Sequence, residues 1–399
     1  MPSVLPVLAG LLLTLSWADG ARADSLAAAL DAAWAHHPQV AAWAARSDEA
    51  AARAALAGAL TAGPPSLAFG HLGRGPGHDG GRRDWEVELA APLWLPGQQA
   101  ARQSEAASGA NVLAATQGAL RLQLAGAVRE AGWAVVDARA VRDLAQRREA
   151  SARALEAEVQ RRHAAGELAR IDANQAQGER LAAQGEAADA ASTLRAAEQA
   201  WRALTGLPAP LTLDPERVAD ASGAEHPQLT AATAALQAAQ ARLRASRASR
   251  RDPPELGLRL VRERDAVAEP WSSLLGVQFK LPFSTAAQVR VNDAAAQAEL
   301  AEATAMLEQV HRVHALDVER ARAELDAAAE RDAATAQRQA LAAESLRLAE
   351  KAFALGESDL ATLLRLHASA READAAHTRQ RIARAAAVSR LNQALGVLP

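Results

Sequence analysis

HPQVAAWAA at residues 37–45 and HPQLTAATAA at residues 226–235 are nearly the same phrase, 189 positions apart. The match does not stand alone. Working outward from it, Pro92 answers Pro282, Gly166 answers Gly356, and ALTGLP (203–208) answers ALGVLP (394–399), with offsets between 189 and 191 throughout. Proline and glycine constrain the backbone where they stand. Their recurrence in one order therefore marks a tandem duplication rather than chance likeness between alanine-rich helices.

The two copies share a plan. Proline is absent between Pro96 and Pro208, and again between Pro282 and Pro399. An interior proline costs a helix about 3 kcal/mol, and the good helix formers Ala, Leu, Glu, Arg and Gln fill both stretches. Each stretch is interrupted once, by RRHAAGELARID (161–172) around Gly166 and by KAFALGESDLATLL (351–364) around Gly356. Glycine, polar residues and then a resumed helical pattern predict the turn of a helical hairpin. The arm from Gly97 to His163 is 67 residues, roughly 100 Å of helix at 1.5 Å per residue. Leu341, Leu348 and Leu355 recur at seven, with Ser345 and Ala352 four residues after the first two. Such alternation of large and small residues predicts a closely packed helical seam.

Ahead of each hairpin the period changes from helical to two. In DWEVELAAPLW, Trp85, Val87 and Leu89 point one way, with Glu86 and Glu88 the other. In PELGLRLVRE and WSSLLGVQFKLPF, Leu256, Leu258 and Leu260 oppose Gly257 and Arg259, while Leu275, Val277, Phe279 and Leu281 oppose Gly276, Gln278 and Lys280. Together with PSLAFGHLG this predicts four strands with one apolar face, at about 65–73, 84–95, 254–263 and 271–283. Three of the four Phe residues fall in these segments, as do Trp85, Trp94 and Trp271 near the strand ends, where membrane barrels place interfacial aromatics. The fold class is α+β, mostly α, each copy reading helix, strand, strand, long helical hairpin. The repeats run 24–208, with a hairpin over about 97–206, and 209–399, with a hairpin over about 286–397; their tips lie near 166 and 356.

Composition sets the address and excludes some functions. The net charge of −3 over 399 residues lacks the basic footprint of a nucleic-acid binder. Residues 1–23 read as a secretory signal: an apolar run from Val4 to Trp17, then the small-x-small pattern Ala21-Arg22-Ala23. No Lys or Arg precedes that run, so its positive end rests on the terminal amine. There is no cysteine, hence no disulfide and no lipoprotein anchor. No later segment has the ~20 apolar residues of a membrane helix, so entry into a membrane must use the strands. Neither GxSxG, GxxxxGK[ST] nor HExxH occurs; an enzyme and a cofactor are not expected.

Four amphipathic strands cannot cross a bilayer alone, because open sheet edges leave backbone groups unpaired in lipid. Single-chain bacterial barrels need at least about eight strands, so the membrane reading requires a barrel shared between chains. Glu86, Glu88, Arg259, Gln278 and Lys280 would line its wet lumen. The other reading is a soluble periplasmic protein with a small sheet.

SLAAALDAAWAHHPQV near the expected mature start, APLWLPGQQAAR after the second strand, the Gly166 and Gly356 tips and the repeated HPQ together resemble the outer-membrane efflux channel family, the TolC-like proteins, and within it the heavy-metal CzcC-like branch. The resemblance spans the mature chain. It implies a homotrimer whose twelve-stranded outer-membrane β-barrel continues into a periplasmic α-helical barrel. It further implies docking through the helical tips onto a periplasmic adaptor, and through it onto an inner-membrane pump, for passive export of metal cations or small toxic compounds. The docking residues it suggests are Ala165, Gly166, Glu167, Leu168 and Asp172 with Leu355, Gly356, Glu357, Ser358, Asp359 and Leu360. Against that, the glycines are helix ends in their own right, and Asp172 and Asp359 suit helix starts. Glu357 and Asp359 are either a ring of carboxylates at the periplasmic entrance or part of a solvated face. Glu308, His311 and His314 lie three apart on a predicted helix, but a metal needs more convergent ligands than they offer; an interhelical or solvated role is expected. The same fold would also serve a type I protein secretion system, and a soluble coiled-coil scaffold or adaptor is the alternative of another class.

Overall fold

The computed structural model describes residues 25–73, 82–220, 225–265, 269–355 and 357–399. The expected signal peptide (1–23), much of the Gly-rich loop and Gly356 lie outside the described residues. The first repeat comprises α1 (Leu26–His36), α2 (Pro38–Ala41), α3 (Trp43–Ala57), β1 (Ser66–Gly73), β2 (Arg83–Pro92), α4 (Gln98–Ala164) and α5 (Arg170–Thr205). The second comprises α6 (Pro227–Ala248), β3 (Glu255–Arg264), β4 (Ser272–Lys280), α7 (Ala286–Ala354) and α8 (Leu360–Ala394).

The duplicated phrase is a duplicated helix cap. His37 and His226 each accept the backbone N–H of the glutamine two residues on at 3.3 Å, and Pro38 and Pro227 open α2 and α6. Proline suits that place because its missing N–H would have no partner in the first turn. The hairpins also end alike, on Gly206 at φ 72° and Gly396 at φ 79°, a left-handed conformation that glycine reaches without a side-chain clash.

The strands form one antiparallel sheet in the order β1-β2-β3-β4. Its central pair joins the two repeats, with Val87 opposite Leu260. β1 and β4 are the edges, without a further neighbour among the described residues. Two strands stop earlier than their patterning suggests: β2 at Pro92 and β4 at Lys280, two residues before Pro282. Proline cannot donate to the next rung of a ladder. In consequence Trp94 and Phe283 lie outside the sheet, and the Trp94 indole N–H donates to the Ala59 carbonyl at 2.9 Å, tying strand exit to helix end.

The core sits midway along α4, where α1, α5 and α8 meet it. Leu30, Val128, Val135 and Trp201 are buried there. The Trp201 ring packs where a Cβ on Gly132 would stand 3.1 Å from it, so glycine is what admits the ring. Trp133 donates its indole N–H to Ser389 Oγ at 2.9 Å, linking the hairpins of the two repeats. Arg129, 2% exposed, is held by Glu216 through two hydrogen bonds of 2.7 and 3.0 Å and by Gln393 at 2.7 Å. Burial by itself would raise the Glu216 carboxyl, but hydrogen bonds from Arg129, Ser389 and Asn392 outweigh it and hold the group below the usual carboxylate range.

Candidate functional site

The sheet separates its side chains by face. Phe69, Val87, Leu260 and Leu275 form one continuous row across the four strands, and Leu67, Leu89, Leu258 and Val277 form the next. All eight are exposed, from 36% for Val87 to 75% for Phe69. An apolar patch of this extent marks a surface meant for lipid or protein rather than water. The other face carries Glu86, Glu88, Arg259, Gln278 and Lys280 together, as their alternation predicts, with Val261 and Leu274 among them. There Arg259 pairs with Glu86, and Lys280 with Glu255 at 3.1 Å. β2 has 10 residues; a strand of that length is about 33 Å, and at a tilt of about 40° it rises about 25 Å, the height of an outer-membrane apolar band.

At the opposite end the two hairpin tips lie side by side. In the first, Gly166 takes φ 80° and Glu167 N–H closes on the Arg162 carbonyl at 2.9 Å. Ala165, Gly166 and Glu167 are exposed, while Leu168 turns inward against Val159 and Ala176. Phe353 and Leu364 of the second hairpin pack on that same small cluster, and the Arg162 guanidinium stands 4.9 Å over the Phe353 ring. The aspartates are helix starts. Asp172 accepts the Ala169 N–H at 3.1 Å, and Asp359 caps α8 by accepting the Thr362 N–H at 2.9 Å. Hydrogen bonding from Thr362 holds the Asp359 carboxyl below its ordinary value. Leu355 is 65% exposed, Glu357 is exposed, and Ser358 after it is half-buried. Gly356 and the Leu360 side chain lie outside what is described.

Residues 218–397, nearly the whole second repeat, match the outer membrane efflux protein family. That match covers the second repeat; the first repeat lies outside it. The fold, mostly helical with the helix-strand-strand-long hairpin unit present twice, matches that of TolC-like channels. Solved structures agree over both repeats. The outer membrane protein VceC of Vibrio cholerae superposes with a TM-score of 0.78 at 18% identity, over 93% of this chain and 96% of that one. The CmeC outer membrane channel of Campylobacter jejuni gives 0.75 at 13% identity, over 93% and 85%. The open state of the MtrE outer membrane channel of Neisseria gonorrhoeae gives 0.74 at 20%, over 93% and 89%. At such identities the likeness is one of fold. No curated protein sequence matches the chain.

The described histidines do not converge on a metal. His314 instead packs its ring 4.4 Å from that of His226, between α7 and the start of α6, while Glu308 lies 3.9 Å from Arg312. Burial, then the charge of His314, pushes the His226 imidazole down. No group of three ligating side chains that could hold a metal forms among the described residues.

Leu341, Leu348 and Leu355 do not close the hairpin; on the single chain they are 67, 59 and 65% exposed. The hairpin closes instead on smaller residues, Ala321, Ala328 and Ala349 being the buried ones on that length of α7. The alanines let the α7 and α8 backbones approach closely, and the leucines, one position earlier in the heptad, are turned about 100° away. Val313 and Leu316 are exposed on the same helix. The heptad was visible in the sequence, but not which partner it faces.

Proposed function

We propose that three copies of this chain close a twelve-stranded barrel and form the passive exit duct of a tripartite, RND-type efflux pump, carrying metal cations or small toxic organic compounds across the outer membrane. The observation that carries this reading is the sheet: four strands, two open edges and one face of exposed apolar rows. Open edges in lipid cost several kcal/mol per unpaired group, and edge-to-edge pairing of identical copies removes them. The exposed leucines of α7 supply a matching surface along the periplasmic helices.

The tips dock a periplasmic adaptor through Ala165, Gly166 and Glu167 in the first repeat and Leu355, Glu357 and Ser358 in the second, and the adaptor couples the duct to an inner-membrane pump. Glu357, whose carboxylate has no partner among the described residues, repeats three times around the entrance and favours cations there. The repeat boundaries 24–208 and 209–399 are the units of this assembly.

Deleting the gene and measuring growth against a panel of divalent metals and drugs tests the exported class. Sensitization to one class, restored by the wild-type gene and not by a Leu355→Asp variant that still assembles, is the expected result. An unchanged growth profile contradicts export. In planar bilayers, Glu357→Gln is expected to lower the preference of the conducting channel for cations over anions.

A further inference from the structure

At the loop end of the sheet, farthest from the helices, charge is sorted between the two faces. On the polar face Arg82 lies 3.2 Å from Asp84, 3.9 Å from Glu263 and 3.8 Å from Asp265, so three carboxylates are gathered around one cation. On the apolar face stand three more arginines: Arg83, Arg262 and Arg264. No carboxylate among the described residues pairs with any of them. Arg83 and Arg264 are directly opposite in the β2–β3 ladder, an arrangement of like charges that destabilizes a sheet unless something offsets it. The Arg264 Nε is buried without a hydrogen-bond partner. Trp271 stands against two of the three, its ring centroid 5.5 Å from the Arg262 guanidinium and 5.0 Å from that of Arg264. Trp85 lies next to Arg262 in the register and one step from the apolar row of Val87 and Leu260.

Three guanidinium groups without a carboxylate partner among the described residues, two of them against one tryptophan ring, stand at the upper limit of the apolar rows and offer a site for an anion from outside the chain. We propose that Arg83, Arg262 and Arg264, with Trp271 and Trp85, bind the phosphate groups of lipid headgroups in the outer leaflet. The proposal rests on the membrane reading of the apolar face. Guanidinium forks take two phosphate oxygens at once, and the tryptophans occupy the interfacial level that such rings prefer. The lipid's acyl chains then lie along the rows below. Since the sheet repeats three times around the barrel, each channel carries three such sites, and anchoring them at one depth fixes the height of the barrel in the bilayer.

The test uses the full chain as the detergent-purified assembly, with bound lipid counted by native mass spectrometry. The probes are lipid A with its two phosphates, the same lipid stripped of phosphate, and inorganic phosphate. The wild-type assembly is expected to retain phosphorylated lipid A, to bind the stripped lipid much more weakly, and not to exchange the lipid for inorganic phosphate. The triple variant R83Q/R262Q/R264Q is expected to bind phosphorylated lipid A about a hundredfold more weakly, a factor of about five for each cation lost near an anionic surface. R83K/R262K/R264K, which keeps the charge, restores most of the binding. Should the triple glutamine variant fail to assemble, R264Q alone carries the test, with an expected loss of about fivefold. An assembled variant that binds as the wild type does, or a wild type indifferent to the lipid's phosphates, overturns the headgroup site alone. Displacement by inorganic phosphate also overturns it, in favour of a soluble-anion site. A wild-type chain recovered as a soluble species overturns the membrane reading and this assignment with it.

Discussion

α4 and α7 are counterparts in the duplication and nearly equal in length, 67 and 69 residues, yet they are used in opposite ways. α4 buries Leu122, Val128, Trp133, Val135 and Val159, together with an arginine. The buried residues of α7 are four alanines, and its larger apolar side chains, among them Leu316, Leu341 and Leu348, face outward. The first copy holds the chain together; the second closes its own hairpin on small residues and leaves the large ones exposed, where the proposed assembly would cover them. A duplication thus becomes a division of labour between folding and assembly. The sheet follows the same logic, with its inner pair shared between repeats and its outer strands left open.

The comparison breaks most sharply if the outward leucines prove idle. Leu341→Ser combined with Leu348→Ser is expected to abolish the trimer, because each leucine covered at an interface is worth about 1.5–3 kcal/mol and recurs in three copies. The same double variant should leave the isolated chain within about 0.5 kcal/mol of its stability, as surface substitutions do. Light scattering in detergent reads the first effect and denaturant unfolding the second. Trp201→Ala makes the converse point, with an expected loss of about 4 kcal/mol of chain stability from a buried ring, seen in the unfolding midpoint.

Glu216→Gln sharpens the comparison through pH. Removing this carboxylate leaves Arg129 buried without its counter-charge, at a cost of about 3 kcal/mol. In the wild type the Glu216 group is depressed on folding, so its contribution is complete above the ordinary range near pH 4.5 and is lost as pH falls through the lower folded value. Unfolding measured from pH 7 to pH 3 should therefore show an acid-sensitive component that Glu216→Gln lacks. Gly166→Ala is the smallest effect, about 1 kcal/mol for a side chain at positive φ. It should be confined to the tip and visible as faster amide exchange there.

Much of this arrangement is legible in the sequence, for identifiable reasons. Proline, glycine and the HPQ caps act on the backbone directly, so their repetition disclosed the duplicated plan. Period-two alternation assigned Glu86, Glu88, Arg259, Gln278 and Lys280 to one face because a strand offers only two. The strand ends were blurred where apolar residues continue past the last rung, at Leu93, Trp94 and Leu281. The heptad of α7 announced a contact but could not name its partner. Contacts such as His226 with His314, or Arg129 with Glu216, join residues distant in sequence whose types carry no pattern, and only the fold brings them together. Asp172 and Asp359 were readable both as docking residues and as helix starts; the structure supplies the second role.

The claim on which the rest depends is that this sheet is completed by other copies of itself. The most direct measurement is the mass of the protein extracted by mild detergent from fractionated cells and weighed by light scattering with the detergent subtracted. The account predicts recovery in the outer-membrane fraction as an assembly of three chains. A single chain, recovered in the soluble fraction and stable in plain buffer, would contradict it.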